Sequence, residues 1–346
     1  MKFGLFGGAK SSGDGPVGDS IGYRKYIDYV LRAEALGFHS VFVVEHHFTG
    51  VGQLSASLNF LSYLAGRTER LRLGTAVVVL PWHNPVLLAE QVATLDLLSN
   101  GRLDFGVGKG YRDAEFAGFS IPMEEASARF DETMAFLRQA WSAKDRFSHC
   151  GRYWRFENVV IEPRPVQRPH PPLWMGAGSL ASIQRAAREG FNLLLDQIAP
   201  VDLIIERVAA YRHALQLEGR PYHPGQIAVA RALQIVRSAQ ERQQAYNLRI
   251  KVLKTIGGLA RGRGAERYHN IGSHAEADLA GEEAALLGTP EEIIARLKKL
   301  AAGGVDYVLL VDPTGSLAAL DTFAKEIMPQ FACMPSPPAA VEEKRP

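Results

Sequence analysis

Short apolar runs alternate with longer amphipathic segments along almost the whole chain, and that alternation predicts strands and helices in succession. Lys2–Phe6 reads as a first strand, Tyr23–Leu36 as a helix stopped at Gly37, and His39–Val44 as a second strand. A helix near Leu54–Arg67, a strand over Leu71–Leu80 closed by Pro81, a helix over Pro85–Leu98 and a strand over Leu103–Val107 continue the rhythm. Between Trp141 and Pro172 the pattern lapses into aromatic, basic and proline-rich sequence. This excursion is too short for a second domain, and a fifth strand follows at Pro172–Gly176. The next elements are a helix over Ala181–Arg188, a strand over Phe191–Leu195, a helix over Val201–Leu217 and a strand over Ile227–Val236.

From Ser238 to Leu287 the chain begins as a helix, runs into the glycine-arginine stretch Gly257–Gly264 and offers no strand, so it is read as an inserted lid. Thr289-Pro290-Glu291-Glu292 then opens a helix, with Thr at the cap, Pro in the first turn and acids facing the helix dipole. That helix runs to Ala302, Val305–Val311 supplies an eighth strand, and Leu317–Met328 a closing helix. Repeated strand–helix units with nearly continuous apolar strands require a parallel sheet covered by helices. The expected fold is therefore a single eight-stranded parallel (β/α) TIM barrel over residues 1–332, with an insertion at 238–287 between strands seven and eight. The tail at 333–346 is rich in Pro, Glu, Lys and Ala and is expected to be disordered.

Composition narrows the function classes. Hydrophobic residues make up 47% and charged residues 22% of 346, enough to bury a large core. A formal net charge of +2 provides no field for nucleic acid or an anionic membrane, so any anion site must be local. No apolar run approaches the ~20 residues that span a bilayer, and the N-terminus lacks a signal peptide's apolar stretch. Cys150 and Cys333 are too few for a disulfide framework or a thiolate zinc site, which points to a reduced cytoplasmic setting.

In such a barrel the chemistry sits where strands end. The second strand runs into Glu45-His46-His47, three ionisable groups at the mouth, where an imidazole can move protons near neutral pH. An ordinary polar loop is the plainer alternative. A metal site is disfavoured because adjacent residues point to opposite faces and no third ligand is evident. After the fourth strand, Gly106-Val107-Gly108-Lys109-Gly110 allows close backbone approach, and Lys109 can neutralise an anion or serve as a surface cation. After the fifth, Gly176-Ala177-Gly178-Ser179-Leu180-Ala181-Ser182 feeds a helix whose free N–H groups can bind phosphate, unless Ser179 merely caps it. Neither a Walker loop nor a dinucleotide fingerprint is present, which suits the phosphate of a mononucleotide.

Five segments, in this order, resemble the bacterial luciferase superfamily of flavin-dependent monooxygenases. They are Met1-Lys2-Phe3-Gly4, Glu45 to Thr49, Gly74-Thr75-Ala76 through Leu80-Pro81, Asn84-Pro85-Val86, and Gly101 to Gly108. Thr289 to Glu292 and Gly304-Val305-Asp306 resemble the family's C-terminal pattern, whereas Arg112–Ala126 and Ser238–Leu287 match nothing specific. The resemblance implies that His46 does acid–base work near the flavin, framed by Glu45 and His47. It implies that Ala76 and Val77 stand where the family often has a non-prolyl cis peptide under the flavin ring. It further implies that Lys109, Arg129, Gly178, Ser179 and Ser182 lie on the phosphate side. Gly108 departs from the light-emitting enzyme, which carries a reactive cysteine there, so bioluminescence is not implied.

The function so implied is an FMN-dependent monooxygenase. Reduced FMN comes from a separate flavin reductase, O2 is co-substrate, and a small organic substrate is oxidised by a protein expected to be a homodimer. A deazaflavin-dependent hydride-transferring oxidoreductase of the same superfamily is the alternative. A non-catalytic flavin-binding protein and a metal-dependent barrel hydrolase are more distant ones.

Overall fold

A computed structural model of the chain describes residues 1–259, apart from Asp14 and Val51, and residues 284–332. Eight parallel strands close on themselves: β1 (Lys2–Gly7), β2 (Ser40–Val43), β3 (Arg72–Thr75), β5 (Leu103–Gly108), β8 (Leu173–Gly176), β9 (Asn192–Leu195), β10 (Ile227–Ile235) and β12 (Tyr307–Val311). β12 returns to β1 with Lys2 opposite Tyr307, which completes the TIM barrel. The strands are buried on both faces. Phe42, Trp174, Leu194, Ala228, Tyr307 and Leu309 fill the lumen, while Val41, Val43, Leu193 and Val308 belong to the larger layer shared with the helices.

The helices start where local chemistry dictates. Asn84 accepts from the backbone N–H groups of Val86 and Leu87, and Pro85 begins α3 (Pro85–Leu98), after α1 (Gly15–Ala35) and α2 (Ser57–Ala65). α4 (Asp113–Gly118), α5 (Ala126–Ser142), α6 (Leu180–Glu189), α7 (Val201–Leu217) and α8 (Ala239–Leu259) follow. Thr289 and Glu292 form a reciprocal capping box at the start of α9 (Pro290–Ala302), as the sequence predicts. α10 (Leu317–Thr322) continues as a widened turn over Phe323–Ile327 and a tight one over Met328–Phe331, so the closing helix is not a uniform α-helix.

Two expectations need correction, and a third is filled in. The third strand is interrupted: β3 ends at Thr75, Ala76–Val77 is a cis peptide, and β4 (Val78–Val79) resumes pairing with β5. Thr75 bridges the gap, its Oγ1 donating to Gly106 O at 2.7 Å and accepting from Gly106 N at 2.8 Å. Second, the segment Ser238–Leu287 does contain strand residues, because β11 (Leu286–Gly288) pairs in parallel with β10. Residues 260–283 of the lid reading, and the tail at 333–346, lie outside the described residues. Third, the excursion between Trp141 and Pro172 holds an antiparallel hairpin, β6 (Phe147–Cys150) with β7 (Arg155–Val159). Its turn is gathered on Glu132, which accepts from the N–H groups of Arg152, Tyr153 and Trp154.

Candidate active site

The loop after β2 delivers three ionisable side chains to two different tasks. Glu45 turns inward, 2% exposed. Its Oε1 accepts from Trp82 Nε1 (2.8 Å), His83 Nε2 (2.8 Å) and His47 Nε2 (3.1 Å), and its Oε2 from Val79 N (3.3 Å). Burial pushes the Glu45 carboxyl up, but the hydrogen bonds from His47, His83 and Trp82 outweigh burial and hold it down at about 2. Glu45 is thus a permanent anion tying the β2 loop to the turn after β4. The rings of His47 and His83 are engaged in that tie. Among the described residues no cluster of His, Cys, Asp or Glu has the arrangement of a metal site.

His46 faces the other way, toward the segment that leaves β5. Its Nδ1 lies 3.1 Å from Glu115 Oε1 and its Nε2 3.3 Å from Arg112 Nη2. A guanidinium only donates, so Nε2 must be the accepting nitrogen and Nδ1 must carry the proton given to Glu115. The same Glu115 oxygen accepts from His47 N at 3.0 Å, which fixes the loop backbone as well as the ring. Burial pushes the pKa of His46 down, the Glu115 hydrogen bond opposes this, and the nearby Arg112 charge adds to the lowering. His46 is therefore held as one neutral tautomer, below the ordinary histidine range on which the sequence reading relied.

Against His47 stands an aromatic wall from the segments that follow β2, β4 and β5. Trp82 stacks on Phe119 at 5.0 Å, with Phe116 edge-on to Trp82 at 5.2 Å and Phe48 against Phe119 at 5.1 Å. Phe48 is 60% exposed, in a left-handed conformation with φ 54°.

The other expected residues divide. Ala76 and Val77 pack against the luminal cluster, and a Cβ on Gly108 would lie 2.4 Å from Val77 Cγ2, so Val77 occupies the space a longer side chain there would need. Lys109 Nζ donates to Ser127 Oγ at 3.1 Å and sits 5.8 Å over the Phe130 ring, which Arg185 of α6 also approaches at 5.2 Å. Lys109 is thereby brought beside α6, and burial followed by the Arg185 charge lowers its pKa. Ser179 caps α6 by accepting from Ser182 N, and Ser182 Oγ donates to Ser179 O at 2.8 Å. Gly178 lies against Arg207, whose Nη2 would be 3.3 Å from a Cβ there, and Arg207 pairs with Asp196 at 2.8 Å. A Cβ on Gly176 would meet nothing within 4 Å among the described residues, which leave the turn open on that side. Arg129 pairs with Glu125 at 2.8 Å and lies 4.4 Å over Tyr153.

Sequence reasoning missed Arg112, Glu115, Trp82, His83 and Arg207. For Arg112 and Glu115 a signal existed: opposite charges three residues apart immediately after a barrel strand.

Comparison with known proteins bears on the family and the fold. The uncharacterized protein y4vJ of Sinorhizobium fredii is 37% identical over a segment spanning 50% of this chain and 49% of that protein, about half its length. The oxygenase component of the flavin-dependent trigonelline monooxygenase of Acinetobacter baylyi is 27% identical, with 96% of each chain covered. Among solved structures, the monooxygenase RslO1 of Streptomyces bottropensis superposes with a TM-score of 0.80 at 29% identity, covering 96% of this chain and 100% of that one. The profile of the luciferase-like monooxygenases matches residues 1–307, and the chain belongs to that family.

Proposed function

We propose that this chain is the oxygenase component of a two-component monooxygenase that takes reduced FMN from a separate reductase and uses O2 to oxidise a small organic substrate at the barrel mouth. The observation that carries the reading is the placement of His46 between Glu115 and Arg112, at 3.1 and 3.3 Å, where β2 and β5 end. A relative that shares nearly the full length is itself a flavin-dependent oxygenase component, and the absence of a dinucleotide fingerprint in this sequence suits a reductase on another chain.

The residues present fit FMN. The open turn at Gly176, the amide groups entering α6, Ser179, Ser182 and Lys109 would hold the phosphate, and Ala76 and Val77 would support the ring from the lumen. Bound reduced FMN supplies the electrons that split O2, one oxygen atom going to the substrate and the other to water. Glu115 keeps a proton on His46 Nδ1, and Nε2 is the atom at which the ring accepts or returns a proton. α8 lies beside the C-terminal ends of β9, β10 and β12. Leu253 packs on Ile198, and only about 20 Å³ remains between this helix and Gln197, Gln234 and Val311. That placement supports the segment beginning at Ser238 as the cover that excludes water. The same reading includes a homodimer.

Anaerobic titration of the purified chain with reduced FMN, followed by addition of O2 and a panel of aldehydes, ketones and aromatic compounds, tests the proposal. Tight binding of reduced FMN and substrate-dependent incorporation of oxygen support it. Hydride transfer from a deazaflavin without O2, or binding with no substrate-dependent chemistry, would replace it with one of the alternatives.

A further inference from the structure

Arg112 is 4% exposed, yet its guanidinium is poorly supplied with acceptors. Its Nη2 donates to His46 Nε2 at 3.3 Å, its Nη1 stands 3.6 Å from Glu115 Oε1, and its carbon lies 5.5 Å over the Tyr111 ring. Among the described residues, Nε and Nη1 have no hydrogen-bond acceptor. Glu115 does not fill the deficit, because the oxygen nearest Arg112 already accepts from His46 Nδ1 and His47 N. A buried charged donor left unsatisfied is costly, and a planar fork of N–H groups is matched best by a two-oxygen anion. Arg112 also covers the lone pair of His46 Nε2, the atom at which the ring would take a proton. One guanidinium, paired with Glu115 at 3.6 Å, therefore keeps two nitrogen atoms without an acceptor among the described residues and obstructs a base.

We infer that Arg112 binds an oxyanionic group of the substrate, a carboxylate or its chemical equivalent, and that drawing Arg112 onto this group uncovers His46 Nε2. The inference rests on the assignment of His46 as the acid–base group and adds the class of substrate: a small organic anion whose carboxylate or equivalent group meets Arg112. It also adds an order of events, in which His46 becomes a base only after the substrate has arrived. The charged and titratable groups around His46 are Arg112, Glu115, Glu45, His47 and Tyr111. When Arg112 moves to an anion, the nearest cation to the ring is neutralised and Nε2 loses its donor. The proton affinity of His46 then rises.

The test follows the imidazole of His46 by nitrogen NMR in the full chain, with sodium benzoate as the probe and potassium chloride at equal ionic strength as the control. In the wild type benzoate is expected to raise the His46 pKa by about one unit. In Arg112→Gln the pKa is already raised and benzoate does not move it. Arg112→Lys, which keeps the charge and guards against misfolding of the glutamine variant, is expected to respond only at roughly tenfold higher benzoate, because the fork is lost. Failure of benzoate to move His46 in the wild type, or an equal response in wild type and Arg112→Gln, overturns the inference. If benzoate acts through Arg112 while His46→Ala retains full oxidation activity, the anion site stands and the acid–base assignment falls.

Discussion

Glu115 Oε1 lies 3.1 Å from His46 Nδ1, although the two residues leave different strands of the barrel and are 69 positions apart in the chain. This contact decides which nitrogen of His46 carries the proton, and so which one faces the reaction.

Replacing Glu115 with Gln removes the anion but keeps an acceptor of the same shape. Because the Glu115 hydrogen bond raises the pKa of His46, its loss lowers that pKa further, and the acid limb of the kcat profile is expected to move to lower pH. A fall of about tenfold or more in kcat, with little change in KM, is the companion expectation for a positioning residue. An unshifted pH profile would show that Glu115 supports the loop alone.

Lys109→Ala tests the phosphate side. Loss of a charge-assisted contact costs about 1.5–3 kcal/mol, or roughly tenfold to over a hundredfold in FMN affinity. Riboflavin, which lacks the phosphate, is expected to bind wild type and variant alike. Fluorescence titration with both ligands checks this, and an equal loss for both would move the phosphate away from Lys109.

These sites were unevenly legible in the sequence. His46 could be found because a strand end precedes it, and α3 because Asn84 and Pro85 mark its start chemically. The interruption of the third strand could not, since Gly74–Leu80 is apolar except at Thr75, and the break depends on Thr75 bonding to Gly106 across the sheet. β11 is only three residues long, too short for any period to show. α5 was legible and overlooked: Phe130, Thr133, Met134, Leu137 and Trp141 recur at helical spacing on its buried face. The pairing of Glu115 with His46 joins two loops that only barrel closure brings together, so local pattern carries no trace of it.

Glu45 predicts an acid limit to stability. Its carboxyl titrates near 2 in the fold against an ordinary 4.5, so its contribution is complete above about 4.5 and is lost as pH falls toward 2. The difference corresponds to about 3 kcal/mol. Glu45→Gln is expected to be less stable than wild type at neutral pH, with the gap closing between pH 4.5 and 2. Denaturant titrations across that window measure it, and a gap that stays constant would assign the loss to packing.

The central claim is that His46 is the acid–base group of a flavin-dependent oxygenation. Stopped-flow absorbance of bound reduced FMN mixed with O2, recorded at several pH values for wild type and His46→Ala, tests it most directly. The account predicts unchanged FMN affinity, a slowing of about 10²–10⁴-fold, and loss of a pH-dependent limb that lies below the ordinary histidine value of 6.5. Equal rates with the same pH dependence in both proteins would contradict it.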